Sequence, residues 1–364
     1  MTIYEKIEKA LSGWVIHKVG MIDRYRYLVI GQWNNDDEKN PYIYKGEKLD
    51  HPTVMYVIDV EKNKIKGKIS LDGYSYGYCD GGTIGDNKVA FFGSYNGITY
   101  YLDYDADIFG HEELLSTKER REKGISRGIS DVRFIGNHFY TAYAGNQIHR
   151  RDAPKEWTLI SQEPRAYCKR FGNGCDTESL DGFSEEEIYF GGHEGNLWAM
   201  LKNEWHKIPL KPDWNIENVV CADDGTVYAV DTRGRVAVGR GTDFTLIEPP
   251  GAKDALPYIR EACFFQGTLY GGGAGGPLYR FDQKGRRWVK ADLPLIGGVE
   301  YLAAKDGVML IAGAWTLKLY NGKETIELYG GERELNELLL EGFMQSAKEV
   351  LDNANLLLEG MKKP

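Results

Sequence analysis

Five carboxylates recur along the chain near the start of the first strand of a repeating unit. Asp131, Glu261 and Glu300 hold matching positions, and Asp181 and Glu217 are displaced from them by one or two residues. If these strands line one channel, the acids form a ring. Such a ring could bind a cation, attract a basic side chain of a partner, or hold two carboxylates for acid–base catalysis.

The same acids also have a structural interpretation. Each could accept hydrogen bonds from the backbone of the neighbouring unit, or pair with an inward-facing arginine. Arg133 and Arg260 lie close in sequence to two of the acids, Asp131 and Glu261, and the spacing of the acids is imperfect. We therefore favour the structural interpretation and assign no catalytic residue.

Other motifs for metal or phosphate chemistry are weak. The sequence contains no HExxH or CxxC ligand set. The glycine-rich run at residues 271–276 lies between two predicted strands and is not followed by a helix or a lysine, so it indicates a tight turn rather than a phosphate loop. His193 stands at a predicted hairpin tip, where exposure to solvent is the expected outcome. We expect no cofactor and no bound metal.

Composition restricts the partners. The formal net charge of -9 disfavours a sequence-independent nucleic-acid binder, because attraction to phosphate requires a basic surface. The charged N-terminus does not resemble a signal peptide, and no run of 18 apolar residues occurs. We therefore expect a cytoplasmic protein that binds neither nucleic acid nor membrane. Five cysteines without a CxxC pair argue against a disulfide framework.

The elements that would position the acids form a repeat. An apolar or aromatic strand precedes a turn residue in six units, at Gly97, Asn146, Gly195, Gly234, Gly276 and Trp315. Successive turn positions differ by 49, 49, 39, 42 and 39 residues. This period is typical of four-stranded propeller blades. The 44 glycines, 24 tyrosines and 8 tryptophans suit many turns joining short aromatic-rich strands.

A seventh unit precedes these six. Residues 14–22, 25–31, 53–60 and 64–69 read as its four strands, with a polar insertion at residues 34–51. The sequence thus predicts an all-β fold, a seven-bladed β-propeller over residues 14–328. A β-sandwich or two smaller β domains would not require the same turn position to recur.

Helices are predicted on both sides of the propeller. Residues 1–13 place Ile3, Ile7 and Leu11 on one face, which indicates an amphipathic helix that we expect to close one end of the ring. Residues 329–364 carry an apolar helical stripe and form a C-terminal helical tail. The tail could pack on its own propeller, pair with a second copy, or bind a partner protein.

One stretch resembles a known class of propellers. The unit from Asp181 to Gly192, followed by Gly195-Asn196-Leu197-Trp198 and by residues 220–229, is similar to the blade consensus of bacterial WD40-like or kelch-like β-propellers. The resemblance covers most of residues 124–328. Similar proteins are often encoded beside Rhs and other polymorphic toxins, which implies an immunity or accessory role through binding to one toxin domain. The resemblance provides no set of binding residues.

Candidate partner contacts come from two regions. The insertion is acidic and aromatic, and residues 118–170 hold twelve Lys or Arg against six Asp or Glu. The candidate contacts in these regions are Asp36, Asp37, Tyr42, Tyr44, Arg120, Arg121, Arg150 and Arg151.

Two other functions stay open beside protein binding. A metal-dependent propeller hydrolase or lactonase would need an ion near Asp131, Glu217, Glu261 and Glu300. A self-assembling scaffold would form homo-oligomers through the C-terminal helix.

Overall fold

In the computed structural model, the strands pair into seven four-stranded antiparallel sheets. The first strands of neighbouring sheets contact one another in a closed ring that returns from the seventh sheet to the first. The chain is therefore a seven-bladed β-propeller, as the repeat predicts. The structure describes residues 1–33, 43–44, 47–48, 52–70, 77–94, 98–113, 128–171, 176–247, 257–293, 298–330, 344–346, 348–349 and 352.

Each blade uses four strands in chain order, first to fourth. Blade 1 contains β1 (Trp14–Asp23), β2 (Arg26–Trp33), β5 (Thr53–Asp59) and β6 (Lys64–Ser70), and the pair β3 (Ile43–Tyr44) and β4 (Glu47–Lys48) lies between β2 and β5. Blade 2 contains β7 (Gly77–Ile84), β8 (Asn87–Ser94), β9 (Ile98–Asp103) and β10 (Ile108–Glu113). Blade 3 contains β11 (Ile129–Ile135), β12 (His138–Tyr143), β13 (Gln147–Ala153) and β14 (Glu156–Leu159).

The remaining four blades repeat this order. Blade 4 contains β15 (Thr177–Ser184), β16 (Glu187–Gly192), β17 (Leu197–Leu201) and β18 (Glu204–Lys207). Blade 5 contains β19 (Ile216–Cys221), β20 (Val227–Asp231), β21 (Val236–Arg240) and β22 (Asp243–Ile247). Blade 6 contains β23 (Glu261–Phe265), β24 (Thr268–Gly272), β25 (Tyr279–Asp282) and β26 (Arg287–Lys290). Blade 7 contains β27 (Tyr301–Lys305), β28 (Val308–Gly313), β29 (Thr316–Tyr320) and β30 (Thr325–Tyr329).

The core lies between the blades. Successive side chains of a strand point to opposite faces of its sheet, so a second strand that is apolar on both faces serves two interfaces. In β16, Ile188 and Phe190 pack toward blade 3, whereas Tyr189 packs toward blade 5. Each fully buried side chain of this size contributes about 1.5–3 kcal/mol. Apolar clusters of this kind occupy every interface between neighbouring blades.

The turn series found in the sequence has a backbone cause. Asn146, Gly195 and Gly234 have positive φ values of 55°, 69° and 73°. Residues with a Cβ rarely adopt this conformation, and Gly and Asn adopt it at least cost. At Gly195 a Cβ would also lie 2.7 Å from the Lys211 carbonyl oxygen. In blades 3, 4 and 5 the turn residue is therefore set by the geometry of the connection between the second and third strands. Gly276 and Trp315 do not have a positive φ, and Gly97 lies outside the described residues.

Helix α1 (Ile3–Leu11) begins at a capping box. The Thr2 hydroxyl accepts a hydrogen bond from the Glu5 N–H, and the Glu5 carboxylate accepts one from the Thr2 N–H. The helix packs on the fourth strands β6 and β30 of the first and last blades, and buries Ile7 and Leu11 completely. The expectation that it closes one end of the ring is wrong, because its apolar face covers the seam between blades 7 and 1.

The connections divide between two faces. Within a blade the strands alternate in direction, so the second-to-third and fourth-to-first connections lie at the end where the first strand begins. We call this end the long-loop face, because residues 34–52, 114–128, 160–176 and 248–260 connect strands there. At the opposite end, the short-turn face, every connection between strands has two to five residues. Helix α2 (Gln162–Phe171), which was not anticipated, connects blades 3 and 4 on the long-loop face.

The C-terminal tail lies mostly outside the described residues. Within its described part, Met344 is buried against blade 1, with its sulfur 3.9 Å from the Tyr27 hydroxyl. At this point the tail packs on its own propeller, and self-association stays a prediction. Among the helices that the structure describes, none has the length and apolar character needed to cross a bilayer.

Ile7 provides a test of the seam. Ile7→Ala should lower the free energy of unfolding by about 2–5 kcal/mol, because it leaves a cavity between α1 and two blades. Lys9→Ala, on the exposed side of the same helix, should change it by less than about 0.5 kcal/mol. Urea denaturation monitored by tryptophan fluorescence measures both. Equal effects would contradict the packing of α1 at the seam.

Candidate functional site

One residue from each first strand lines a central cavity of about 160 Å³. We call these residues the inner ring: Lys18, Tyr78, Asp131, Ser179, Asn218, Glu261 and Tyr301. The cavity is large enough to hold water. The ring is polar and mixed in charge, so its chemistry depends on which charges are already paired.

Glu261 is paired across the channel. The Lys18 ammonium lies 2.8 and 2.6 Å from the two carboxylate oxygens of Glu261, and both residues are more than nine-tenths buried. Lys18 is in blade 1 and Glu261 in blade 6, so this ion pair reaches past blade 7. The same ammonium lies 5.5 and 5.7 Å from the ring centroids of Tyr78 and Tyr301. Glu261 is therefore committed to a buried ion pair, which is costly to break.

Asp131 ties blade 3 to blade 4. Its two oxygens accept hydrogen bonds from the Val132 N–H at 2.8 Å and from the Leu180 N–H at 3.0 Å. The Arg133 guanidinium lies 3.3 Å from the same carboxylate. This is the structural interpretation given above, in which backbone donors and an arginine occupy the acid.

Asp181 makes the same connection from blade 4 to blade 5. It accepts hydrogen bonds of 2.8 Å from the Gly182 and Cys221 N–H groups. Burial raises the pKa of Asp181 to about 6, although Arg133 and the two backbone donors oppose the shift. Asp80, which the sequence analysis missed, accepts hydrogen bonds from the Gly81 and Phe134 N–H groups, both at 2.8 Å.

A repeated β-bulge brings further side chains to the channel on the long-loop face. In blades 1, 3, 4 and 5 the pairing of the first two strands shifts by one residue. The residues skipped by the strand register directly precede the inner ring: His17, Ser130, Glu178 and Glu217. Such bulges re-aim side chains, and His17, Glu178 and Glu217 border the cavity. Arg260 and Glu300 directly precede the ring residues of blades 6 and 7.

His193 meets three carboxylates at the channel mouth. Its Nδ1 lies 4.0 Å from Asp176, and its Nε2 lies 3.6 Å from Glu178 and 4.0 Å from Glu217. The interaction with Glu217, followed by the charges of Glu178 and Asp176, raises the pKa of His193 against the opposing effect of burial. We call these four residues the His193 cluster. It joins blades 4 and 5 on the long-loop face.

The five acids identified in the sequence therefore differ in their surroundings. Asp131, Asp181 and Glu261 are held in interblade contacts, and Glu217 belongs to the His193 cluster. Glu300 is half-buried beside the glycine-rich turn, 3.5 Å from the position of a Cβ at Gly275. Among the described residues, the only donor atoms close enough to share one ion belong to Asp176, Glu178 and His193. Asp131, Glu217, Glu261 and Glu300 do not form such a set.

Some of the missed residues had signals in the sequence. Asp80-Gly81 repeats Asp181-Gly182 at a similar place in the first strand, and this match identifies Asp80. Glu178 precedes its ring residue, as Glu217 does. Lys18 and Asp176 had no such signal, because their roles depend on residues in other strands.

The candidate partner contacts also differ in their burial and ion pairing. Arg151 requires a correction: it is buried, its Nε and Nη2 lie 3.0 and 2.7 Å from the Glu112 carboxylate, and it stacks on Tyr101. Arg150 is one-third exposed and pairs with Asp152 at 2.6 Å, so its partner role stays a prediction.

The remaining contacts are in the insertion of blade 1 and in the connection between blades 2 and 3. Tyr44 belongs to β3, where its backbone pairs with Glu47. The others lie outside the described residues: Asp36, Asp37, Tyr42, Arg120 and Arg121.

Comparisons with known proteins agree with this architecture. No protein-family model matches the chain. It is 25% identical over 166 residues to "Immune protein Tsi7" of Pseudomonas aeruginosa, across 44% of this chain and 51% of that protein. The chain thus spans about half the length of this curated relative.

Solved structures show the fold alone. The WD40 β-propeller domain of Doa1 superposes with a TM-score of 0.53 at 8% identity, covering 88% of this chain and 94% of that one. The protein YCF48, bound to D1 peptide, superposes with a TM-score of 0.55 at 13% identity, covering 89% of this chain and 94% of that one. The computationally designed protein Ika8 superposes with a TM-score of 0.52 at 12% identity, covering 85% of this chain and 96% of that one.

Asp131 provides a test of the interblade hydrogen bonds. Asp131→Ala should lower the free energy of unfolding by about 3 kcal/mol, because two buried N–H groups lose their acceptor and Arg133 loses its counter-ion. Asp131→Asn, which keeps one acceptor oxygen, should cost less. Glu186→Ala, an exposed acid on the short-turn face, should have almost no effect. Thermal and urea denaturation compare the three variants, and an unchanged stability of Asp131→Ala would contradict this role.

The His193 cluster predicts a pH dependence of stability. Because the folded-state pKa of His193 is raised, its contribution is fully present below about pH 6.5, the unfolded value, and is lost as pH rises through the folded value. The free energy of unfolding of the wild-type protein should therefore exceed that of His193→Asn by up to about 1 kcal/mol at pH 6 and by less at pH 8.5. Glu217→Gln removes a carboxylate that raises the pKa of His193. In this background, the His193→Asn substitution should therefore change the free energy of unfolding by less. Urea titrations at both pH values measure it, and a pH-independent difference would rule out this contribution.

Proposed function

We propose that the chain is a protein-binding propeller that acts as an immunity protein, binding and neutralising a cognate bacterial toxin through its long-loop face. The observation that carries the proposal is that the strand ends joined by the long connections all lie on one face of the ring. Residues 34–52, 114–128, 160–176 and 248–260 join strands on that one face, while the short-turn face has only brief turns. A surface built from long connections on a rigid scaffold is a usual place for binding.

Exposed aromatic residues support the same face. Tyr258 is 50% exposed and precedes β23, and Trp315 is 43% exposed in the turn between β28 and β29. Both lie on the long-loop face. Arg260, beside Tyr258, is also exposed, and its guanidinium lies 5.6 Å from the Tyr301 ring centroid. Trp, Tyr and Arg are the residues that most often dominate the free energy of protein association.

The relative named as an immune protein supports the biological role. Its match covers less than half of this chain, so the toxin-neutralising role comes to this chain as a proposal. The resemblance to propellers encoded beside polymorphic toxins points the same way. The net charge of -9 further favours a partner with a basic surface.

The channel acids support a hydrolase less well. Asp131 and Asp181 accept two backbone hydrogen bonds each, and Glu261 is paired with Lys18. A general acid or base must exchange a proton with substrate, and these carboxylates would have to break interblade contacts to do so.

A binding experiment tests the proposal. The chain should form a 1:1 complex with a bacterial toxin domain, to be sought first among the products of the genes beside its own, and should restore growth of bacterial cells that express that domain. The double variant Tyr258→Ala/Trp315→Ala should raise the Kd at least about tenfold, since each aromatic contact is worth about 1 kcal/mol or more. Biolayer interferometry measures the affinity.

Ile108→Ala is the matched control. Ile108 is 58% exposed but stands beside a turn of the short-turn face, so its truncation should leave the Kd unchanged. Failure of the wild-type chain to bind or protect would contradict the proposed function. An equal loss of affinity in the Ile108 variant would contradict the assigned face.

A further inference from the structure

The His193 cluster has the composition of a transition-metal site. It combines one imidazole with the carboxylates of Asp176, Glu178 and Glu217. Donor atoms of Asp176, Glu178 and His193 all lie within 4.8 Å of one another, and Glu217 approaches the His193 Nε2 to 4.0 Å. Imidazole nitrogen with carboxylate oxygen suits Zn²⁺ and similar first-row ions, whereas Mg²⁺ and Ca²⁺ favour oxygen alone.

The spacing is close to what an ion requires. Donors bound to tetrahedral zinc at about 2.0–2.1 Å lie about 3.3 Å from one another. For an ion on the His193 Nε2, the distances of 3.6 Å to Glu178 and 4.0 Å to Glu217 exceed this by about 0.3 and 0.7 Å. Asp176 lies nearest to the other ring nitrogen, and its donor atom stays within the 4.8 Å that encloses the set. Small rotations of side chains that are one-fifth to one-third exposed would close the difference.

The backbone holds the donors from three separate segments. Asp176 and Glu178 lie at the start of β15, with Glu178 on a β-bulge. Glu217 lies on the equivalent bulge of β19, and His193 follows β16 in a turn where the His193 N–H donates to the Asp176 carbonyl at 3.2 Å. Blades 4 and 5 thus present the donors from fixed positions.

The central cavity borders the His193 cluster. Glu178 and Glu217 border its volume of about 160 Å³. Water or a partner side chain in this space could therefore occupy a fourth or fifth coordination position. An ion in the cluster would be reachable from the channel mouth without displacement of any blade.

We propose that Asp176, Glu178 and His193 bind one divalent transition-metal ion of the Zn²⁺ class at the mouth of the channel. A rotation of the Glu217 side chain, which lies 4.0 Å from the His193 Nε2, would add a further ligand and link blades 4 and 5. This inference does not depend on the immunity role, since it concerns an ion bound by the isolated chain.

Isothermal titration calorimetry with ZnCl₂ tests the site on untagged full-length protein freed of metal by chelation. We expect one ion per chain and a higher melting temperature with Zn²⁺. His193→Asn and Glu178→Gln should each weaken binding at least tenfold and abolish the rise in melting temperature. MgCl₂, as the comparison titrant, should bind at least tenfold more weakly than ZnCl₂.

His138→Asn is the matched control. His138 lies 2.7 Å from the single carboxylate of Glu185 on the short-turn face, so its loss should leave Zn²⁺ binding unchanged. Circular dichroism verifies that each variant is folded. If His193→Asn does not fold, Glu178→Gln alone tests the site. Absence of Zn²⁺ binding by the wild-type chain, or full binding by both cluster variants, would overturn the proposal.

Discussion

The propeller depends on hydrogen bonds between side chains and backbone at the inner edges of its blades. Each first strand is the edge of its own sheet and has N–H groups without a strand partner on the channel side. Buried N–H groups require an acceptor. Asp80, Asp131 and Asp181 provide one by accepting both their own following N–H and an N–H of the next blade.

The same solution appears with uncharged side chains. The Ser179 hydroxyl accepts from Val219 N–H at 3.1 Å, and the Asn218 amide oxygen accepts from Ala262 N–H at 3.1 Å. Acidic residues are therefore not required at these positions, which explains why the acids recur imperfectly. What recurs is a short side chain with an acceptor atom.

Ring closure follows a different principle. Blade 1 uses strands from the N-terminal part of the chain alone and blade 7 strands from residues 301–329, so no shared sheet links them. Helix α1 covers their seam instead, and the Tyr329 hydroxyl donates to the Leu11 carbonyl at 3.0 Å. The Lys18–Glu261 ion pair spans the same region from inside the channel. Closure thus combines apolar burial outside with a buried ion pair inside.

In this arrangement, the carboxylates that hold blades together and the carboxylates available to a ligand lie in different parts of the channel. Deep in the channel the carboxylates are committed to interblade contacts. At the mouth, the bulges present Glu178 and Glu217 beside His193, and the strand ends joined by the long connections lie at this end. Both proposals, partner binding and metal binding, therefore concern the long-loop face.

The sequence by itself determined the blade count, the turn series and α1, because these arise from local rules: alternating polarity along strands, left-handed turn residues and a helical stripe with a capping box. It also placed Asp131, Asp181 and Glu261 on the channel strands. Only the tertiary structure decided what those acids do. Lys18 and Glu261 are 243 residues apart, and no local pattern encodes such a contact. The seam position of α1, the burial of Arg151 and the meeting of His193 with Glu217 likewise depend on the ring closing, because each joins side chains from different blades or from elements distant in the chain.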